Sequence, residues 1–452
     1  MKPFIVFLWW SVLGGVIDVP GGWVARAAPV ASAAEEKFPG ARITFHGFPG
    51  PDRPAQMWSS MYVASNGRVY IGLCTHGDAA SFYEFDPDTE KMRLLANLSE
   101  VARERGRGVW TTGKIHVQMQ ELDGWIYFGA LCEDNGPPAI DFNSFGGVHW
   151  YRAEMATGRV EQLGRITRYW GLLGQAMDKS RRLIYGLAED GRLYRYHIDD
   201  DWTEDLGRVD DWDICRTIFA DDEGNVYGSY SGGHLWKLEA ATGRIIDREL
   251  LRLPVVNTSR TMANPMIDRR GQWRIIEWDP VEKVAYGIVG GSNELFRFDV
   301  NAGAEGAFTM LGEMCAPPFR GGSPFKIPGA TLAMALSPRE RKIYYLPVLE
   351  GDFDYGAVKL DLKLPEGVAP GQLPPLSFMV TYDLNTGRRR DVGLLRTADG
   401  RHAYGMGGAK VDARGRVWFV GAFEERDPAL AARPGVGRFP YRMGLGCFQP
   451  AP

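Results

Sequence analysis

Cysteine chemistry is nearly absent from this chain. Its 452 residues hold five cysteines, with no CxxC or CxxCH spacing, which excludes a zinc knuckle and a covalently attached haem. There is no HExxH, and no GxSxG followed by suitable partners, so neither a zincin helix nor a hydrolase nucleophile elbow is written here. The formal net charge of −4 is small for this length and argues against nucleic acid as a partner. Beyond the N-terminus no apolar run reaches membrane length.

The N-terminus is different. Lys2 precedes an apolar run from Phe4 to Ile17, and small residues follow, with Ala25-Arg26-Ala27 and Ala31-Ser32-Ala33 as candidate cleavage sites. Residues 1–33 read as a secretory signal, with an uncleaved anchor as the alternative, and the expected location is periplasmic or secreted. In an oxidising compartment Cys74 and Cys132, each just after a second strand, would pair across a blade boundary, or remain two small buried thiols.

What is abundant is one short strand. It reads Val69-Tyr70-Ile71-Gly72, Ile126-Tyr127-Phe128-Gly129, Ile184-Tyr185-Gly186, Val226-Tyr227-Gly228, Ala285-Tyr286-Gly287, Ile343-Tyr344-Tyr345 and Val417-Trp418-Phe419. The aromatics recur at about 42 to 59 residues, with one longer step to Trp418, a spacing that marks a β-propeller. A third strand follows each, as in Phe82-Tyr83-Glu84-Phe85-Asp86, and a fourth often ends in Leu-Gly, as in Leu163-Gly164, Leu206-Gly207 and Leu311-Gly312. Length alone suggests about three domains, but the continuous repeat predicts one all-β, seven-bladed propeller over 41–448. The chain runs out before the last blade is complete, so Ala41–His46 is expected to supply its outermost strand and close the ring. Tryptophan-docking repeats, a consistent GH…WD pattern and kelch double glycines do not recur.

Ligands of propellers gather where the inner strands begin. Counting back from the repeated aromatic places Ser59, His116, Leu173, Arg216, Arg274, Leu332 and Gly407 there. One histidine and two arginines among small and apolar residues suggest a cationic funnel for an anionic ligand. Arg260, His76, His402 and Tyr404 fall in or near loops at the same end, as candidate substrate-binding residues. Tyr169 lies in the loop before Leu173. Beside arginines its phenol is a candidate base, and with Trp170 it is a candidate sugar platform. Loop 133–146 is a candidate lid. His149, His197 and His234 fall in or beside third strands and read as structural. No metal ligands are assigned and the cofactor is unknown. The acids Asp78, Glu133, Asp134, Glu189, Asp190, Glu277 and Asp279 leave room for calcium or manganese, but no spacing demands either.

Gly113-Lys114-Ile115-His116, followed by Asp123-Gly124-Trp125-Ile126-Tyr127-Phe128-Gly129, resembles secreted bacterial propellers of the ulvan-lyase-type polysaccharide lyases. Residues 57–300 share the style. The resemblance implies β-elimination on a uronate-containing polysaccharide. His116 matches the family's histidine at the start of a blade, and Arg216 a carboxylate-neutralising arginine. Family members usually carry a second histidine after the Tyr-Phe-Gly strand, where this chain has Ala130-Leu131-Cys132-Glu133-Asp134. Two other readings stand beside this one. One is a noncatalytic propeller binding a periplasmic protein. The other is a metal-dependent lactonase or streptogramin-lyase-like enzyme.

Overall fold

The repeat strand is too apolar to stand alone. Tyr70, Tyr127, Tyr185, Tyr227, Tyr286, Tyr344 and Trp418 are all at most 3% exposed, so each needs a neighbouring sheet against both of its faces. The computed structural model describes residues 40–75, 79–132, 145–209, 215–230, 233–253, 272–290, 293–315, 331–349, 376–431 and 441–450. Within them the repeats form successive antiparallel sheets of a β-propeller. One four-stranded sheet runs Met61–Val63, Val69–Gly72, Ser81–Asp86 and Lys91–Asn97. The next is built from Gln120–Leu122, Trp125–Gly129, Val148–Glu154 and Val160–Thr167. Three more follow the same order, beginning at Leu172–Asp178, Phe219–Ala220 and Trp273–Asp279. Aromatic contacts join neighbours, as in Phe82–Phe128 with centroids 4.7 Å apart and Trp150–Tyr196 at 5.4 Å.

The remaining repeats share a nine-stranded sheet. Its path contains Met334–Ser337, Lys342–Tyr345, Leu376–Asp383 and Arg388–Thr397, then Gly40–Gly47, then Tyr441–Phe448, Val417–Arg426 and Ala403–Val411. Gly40–Gly47 pairs antiparallel with the last strand, Ile43 opposite Phe448, and parallel with Arg388–Thr397, Ala41 opposite Leu395.

One conformation explains the spacing of the motif. The residue three places before each repeated aromatic is left-handed: Gly67, Gly124, Arg182, Gly224, Lys283, Arg341 and Gly415 have φ between +54° and +85°. Four are glycine, which adopts this region freely, and three are long polar residues that bear its cost in a tight turn. The recurrent Leu-Gly has a similar origin. Gly207 and Gly312 have φ of +99° and +98° where their strands bulge against the third strand, at Arg192/Tyr194 and Leu295/Phe296.

The turns also tie neighbouring repeats together. Ser65 N donates to Glu121 at 2.8 Å, Arg182 pairs with Asp123, and Arg181 donates to the Glu223 carbonyl at 2.8 Å. Trp278 Nε1 donates to Asp222 at 2.8 Å, Arg341 meets Asp279 at 2.7 Å, Arg339 reaches the Ala413 carbonyl at 2.6 Å, and Arg414 meets Asp88 at 2.6 Å.

These ties differ in worth. Asp279 is fully buried, whereas both side chains of Arg414–Asp88 are more than 60% exposed. Arg341→Ala strands a buried carboxylate and is expected to cost about 3 kcal/mol of unfolding free energy. Arg414→Ala is expected to leave the urea midpoint nearly unchanged. Equal shifts in the two variants would refute this ranking.

Candidate functional site

The predicted inner positions do lie at successive sheets, but His116 and Arg216 are not in strands. His116 sits between Thr112–Lys114 and Gln120–Leu122, and Arg216 precedes Phe219–Ala220. Their neighbourhood bonds from one sheet to the next instead. Ser59 donates its N–H (3.2 Å) and hydroxyl (2.6 Å) to the His116 carbonyl. His116 Nδ1 lies 2.8 Å from the Leu173 carbonyl.

That last contact sets the chemistry. A carbonyl only accepts, so Nδ1 carries the proton and the Nε2 lone pair stays open in the neutral ring. The side chain is fully buried, and Nε2 has no hydrogen-bond partner among the described residues. Burial holds the imidazole well below its ordinary pKa. The positive charges of Lys114, Arg216 and Arg274 add to this, against the opposing bond to Leu173. Trp58 stacks on the imidazole at 5.4 Å, and the Lys114 ammonium lies 3.2 Å from the Trp58 ring centroid. The result is a neutral base beside three cations. Lys114 and Trp58 were not picked out as site residues from sequence. Lys114 stands inside the Gly-Lys-Ile-His motif, whereas nothing in the pattern marks Trp58.

The other candidates are dispersed. Tyr169 is half-buried in a bend, its N–H bonded to the Thr167 hydroxyl at 3.0 Å and its ring beneath the Arg168 guanidinium at 5.2 Å. The Cys132 thiol donates to its carbonyl at 2.9 Å. Cys74 and Cys132 are therefore separate thiols, and the disulfide alternative is not realised. His402 is buried and bridges by its backbone to Arg396. Tyr404 pairs with Ala422 in its strand, but its side chain lies outside the described residues, as do His76, Arg260 and 133–144 of the expected lid. Several acids considered for a cation serve as anchors: Glu189 accepts from Gly171 N, Glu277 holds Lys410, and Asp279 holds Arg341. Among the described residues no three His, Cys, Asp or Glu side chains converge to hold a metal.

The repeated tyrosines are structural, as their periodicity implies. Tyr286 and Tyr344 donate to Glu282 (2.9 Å) and Glu340 (2.8 Å) in their own turns, and burial raises both phenols above the ordinary range. A cavity of about 490 Å³ opens at the opposite ends of the inner strands, and neither His116 nor Arg216 lines it.

No family model matches the chain, and no curated protein matches it. Solved structures do. The structure of U3-55K is 9% identical, with 91% of this chain and 100% of that one covered at a TM-score of 0.53. The WD40 repeats of RRP9 are 10% identical over 91% and 98%, at 0.51. The extracellular domain of a hybrid two-component system from B. thetaiotaomicron is 12% identical at 0.49. This chain covers 39% of that protein's length. At these identities the likeness to the first two establishes the β-propeller fold and nothing about activity.

Two buried groups near this end titrate with opposite signs. His116 has a depressed pKa, so its contribution to stability is present above 6.5 and is lost as pH falls toward the folded value. Glu104 is 5% exposed, bonds Thr112 N at 2.7 Å, and is pushed by burial from 4.5 to about 7. Its contribution is present below 4.5 and is lost as pH rises through about 7. In urea midpoints measured against pH, His116→Gln should flatten the acid limb below 6.5, and Glu104→Gln the decline between 4.5 and about 7. Unchanged profiles would contradict these assignments.

Proposed function

We propose that the protein is an exported, seven-bladed propeller that cleaves an anionic, uronate-containing glycan by β-elimination. Five separate sheets and the two halves of the nine-stranded sheet supply seven blades in this reading, and Gly40–Gly47 closes the ring on Tyr441–Phe448. The N-terminal apolar run supports export to the periplasm or beyond. No helix among the described residues is long and apolar enough to cross a membrane.

The observation that carries the catalytic reading is the buried, unpartnered Nε2 of a neutral His116 beside Lys114, Arg216 and Arg274. Cations facing a uronate carboxylate stabilise the negative charge that grows when the adjacent carbon loses its proton. Nε2 takes that proton, the electron pair forms the ring double bond, and the glycosidic C–O bond breaks. The imidazolium, or a tyrosine such as Tyr169, returns a proton to the leaving oxygen. The resemblance around Gly113–His116 points the same way.

One observation favours a second reading. His116 is fully buried beneath Trp58, so a noncatalytic propeller that only binds an anionic glycan or a periplasmic protein would keep the same cluster as structure.

The protein from Ala34 onward, incubated with a panel of uronic-acid polysaccharides, should generate the ultraviolet absorbance of an unsaturated uronate. His116→Ala should lower the rate by about 10²-fold or more, and Arg216→Ala should lower kcat as well as raise KM, since its charge is needed most as the carboxylate gains negative charge. Absence of product on every substrate, with binding retained in calorimetry, would replace the lyase by the binding propeller.

A further inference from the structure

The cavity at the far ends of the inner strands has its own chemistry. At about 490 Å³ it falls within the roughly 300–1,000 Å³ typical of small-molecule sites. Gln118, Gln120 and Tyr62 line it from two adjacent sheets, and Trp278, Glu277 and Lys410 line it from others. Among the described residues no hydrogen bond engages the Gln118 or Gln120 side-chain amides or the Tyr62 hydroxyl. Burial, with the nearby Glu121 charge, pushes the Tyr62 phenol up to about 12, so at neutral pH it remains a donor.

The wall is fixed and weakly acidic. Trp278 donates to Asp222 at 2.8 Å and stacks on Phe219 at 5.9 Å with planes 13° apart. Lys410 is paired with Glu277, and Asp178 with Arg181. Exposed Lys179 and Asp222 also line the cavity, and Asp221, which accepts from Asn225 and Tyr227 and forms no ion pair among the described residues, leaves a small excess of negative charge. An anionic ligand is disfavoured there, whereas carboxylates can accept from the hydroxyls of an uncharged sugar. Amides both donate and accept, as vicinal hydroxyls do, and Met177, Ile276 and the Trp278 ring offer apolar surface to the C–H face of a sugar.

We propose that this cavity is a second ligand site, specific for an uncharged saccharide unit and independent of the His116 cluster. It holds its ligand through the Gln118 and Gln120 amides and the Tyr62 hydroxyl, with the sugar ring against Trp278.

The test uses the same chain, from Ala34, titrated with glucose, galactose, maltose and cellobiose by saturation-transfer NMR and calorimetry. At least one sugar should bind saturably. The double variant Gln118→Leu/Gln120→Leu should weaken it by about tenfold, since two hydrogen bonds are lost. Tyr62→Phe, which keeps the ring, supplies the same readout severalfold smaller should the double variant misfold. His116→Ala should leave sugar binding intact, which separates this site from the lyase reading. The proposal is overturned if none of the four sugars binds, if the amide and Tyr62 variants bind as the parent does, or if His116→Ala abolishes binding.

Discussion

Everything in this fold depends on a short turn that must place an aromatic strand between two other sheets. The left-handed residue three places before each repeated aromatic reverses the chain without spare length, and the aromatic then disappears into the interface. Because both faces of each sheet are apolar, no sheet is stable without its neighbours. That mutual dependence makes the turn-to-turn ties effective. Arg341 on the fully buried Asp279 links one turn firmly to the next, whereas the more exposed Arg182–Asp123 pair contributes little.

The same frame creates the two polar regions. At the starts of the inner strands, backbone groups bond across sheet boundaries, and His116 is oriented by the carbonyl of Leu173 in the next sheet. Its neutrality follows from burial and from cations supplied by three different repeats. At the opposite ends the inner strands bring amides, a phenol and a small excess of carboxylates around an open space. One end therefore suits negative charge, and the other suits neutral hydroxyl groups.

Much of the architecture was legible along the chain. The Tyr-Gly strands, their turns and the Leu-Gly bulges were readable because each reflects a local demand of the backbone, as Gly67, Gly124 and Gly312 demonstrate. The expectation of an inner strand beginning at His116 was less accurate. Residues 115–119 form no strand, and Ile115 and His116 bond instead to Ser60, Ser59 and Leu173 of neighbouring repeats, contacts that no count of residues reveals. Trp58 was invisible for a similar reason: its role comes from lying against Lys114 and His116, 56 and 58 positions away by subtraction of residue numbers. Cys74 and Cys132 occupy equivalent places in neighbouring repeats, yet the Cys132 thiol turns to the Tyr169 carbonyl.

Residue order alone carried the β-propeller class and the position of each aromatic strand. Those properties are periodic, and periodicity survives in one dimension. That His116 is buried with its Nε2 unpartnered, that Trp58 stacks on it beneath Lys114, and that Gln118, Gln120 and Tyr62 share a cavity follows from packing in three dimensions. Each of these depends on side chains from different sheets meeting in space, and charge, burial and hydrogen bonding between them take their values from that meeting.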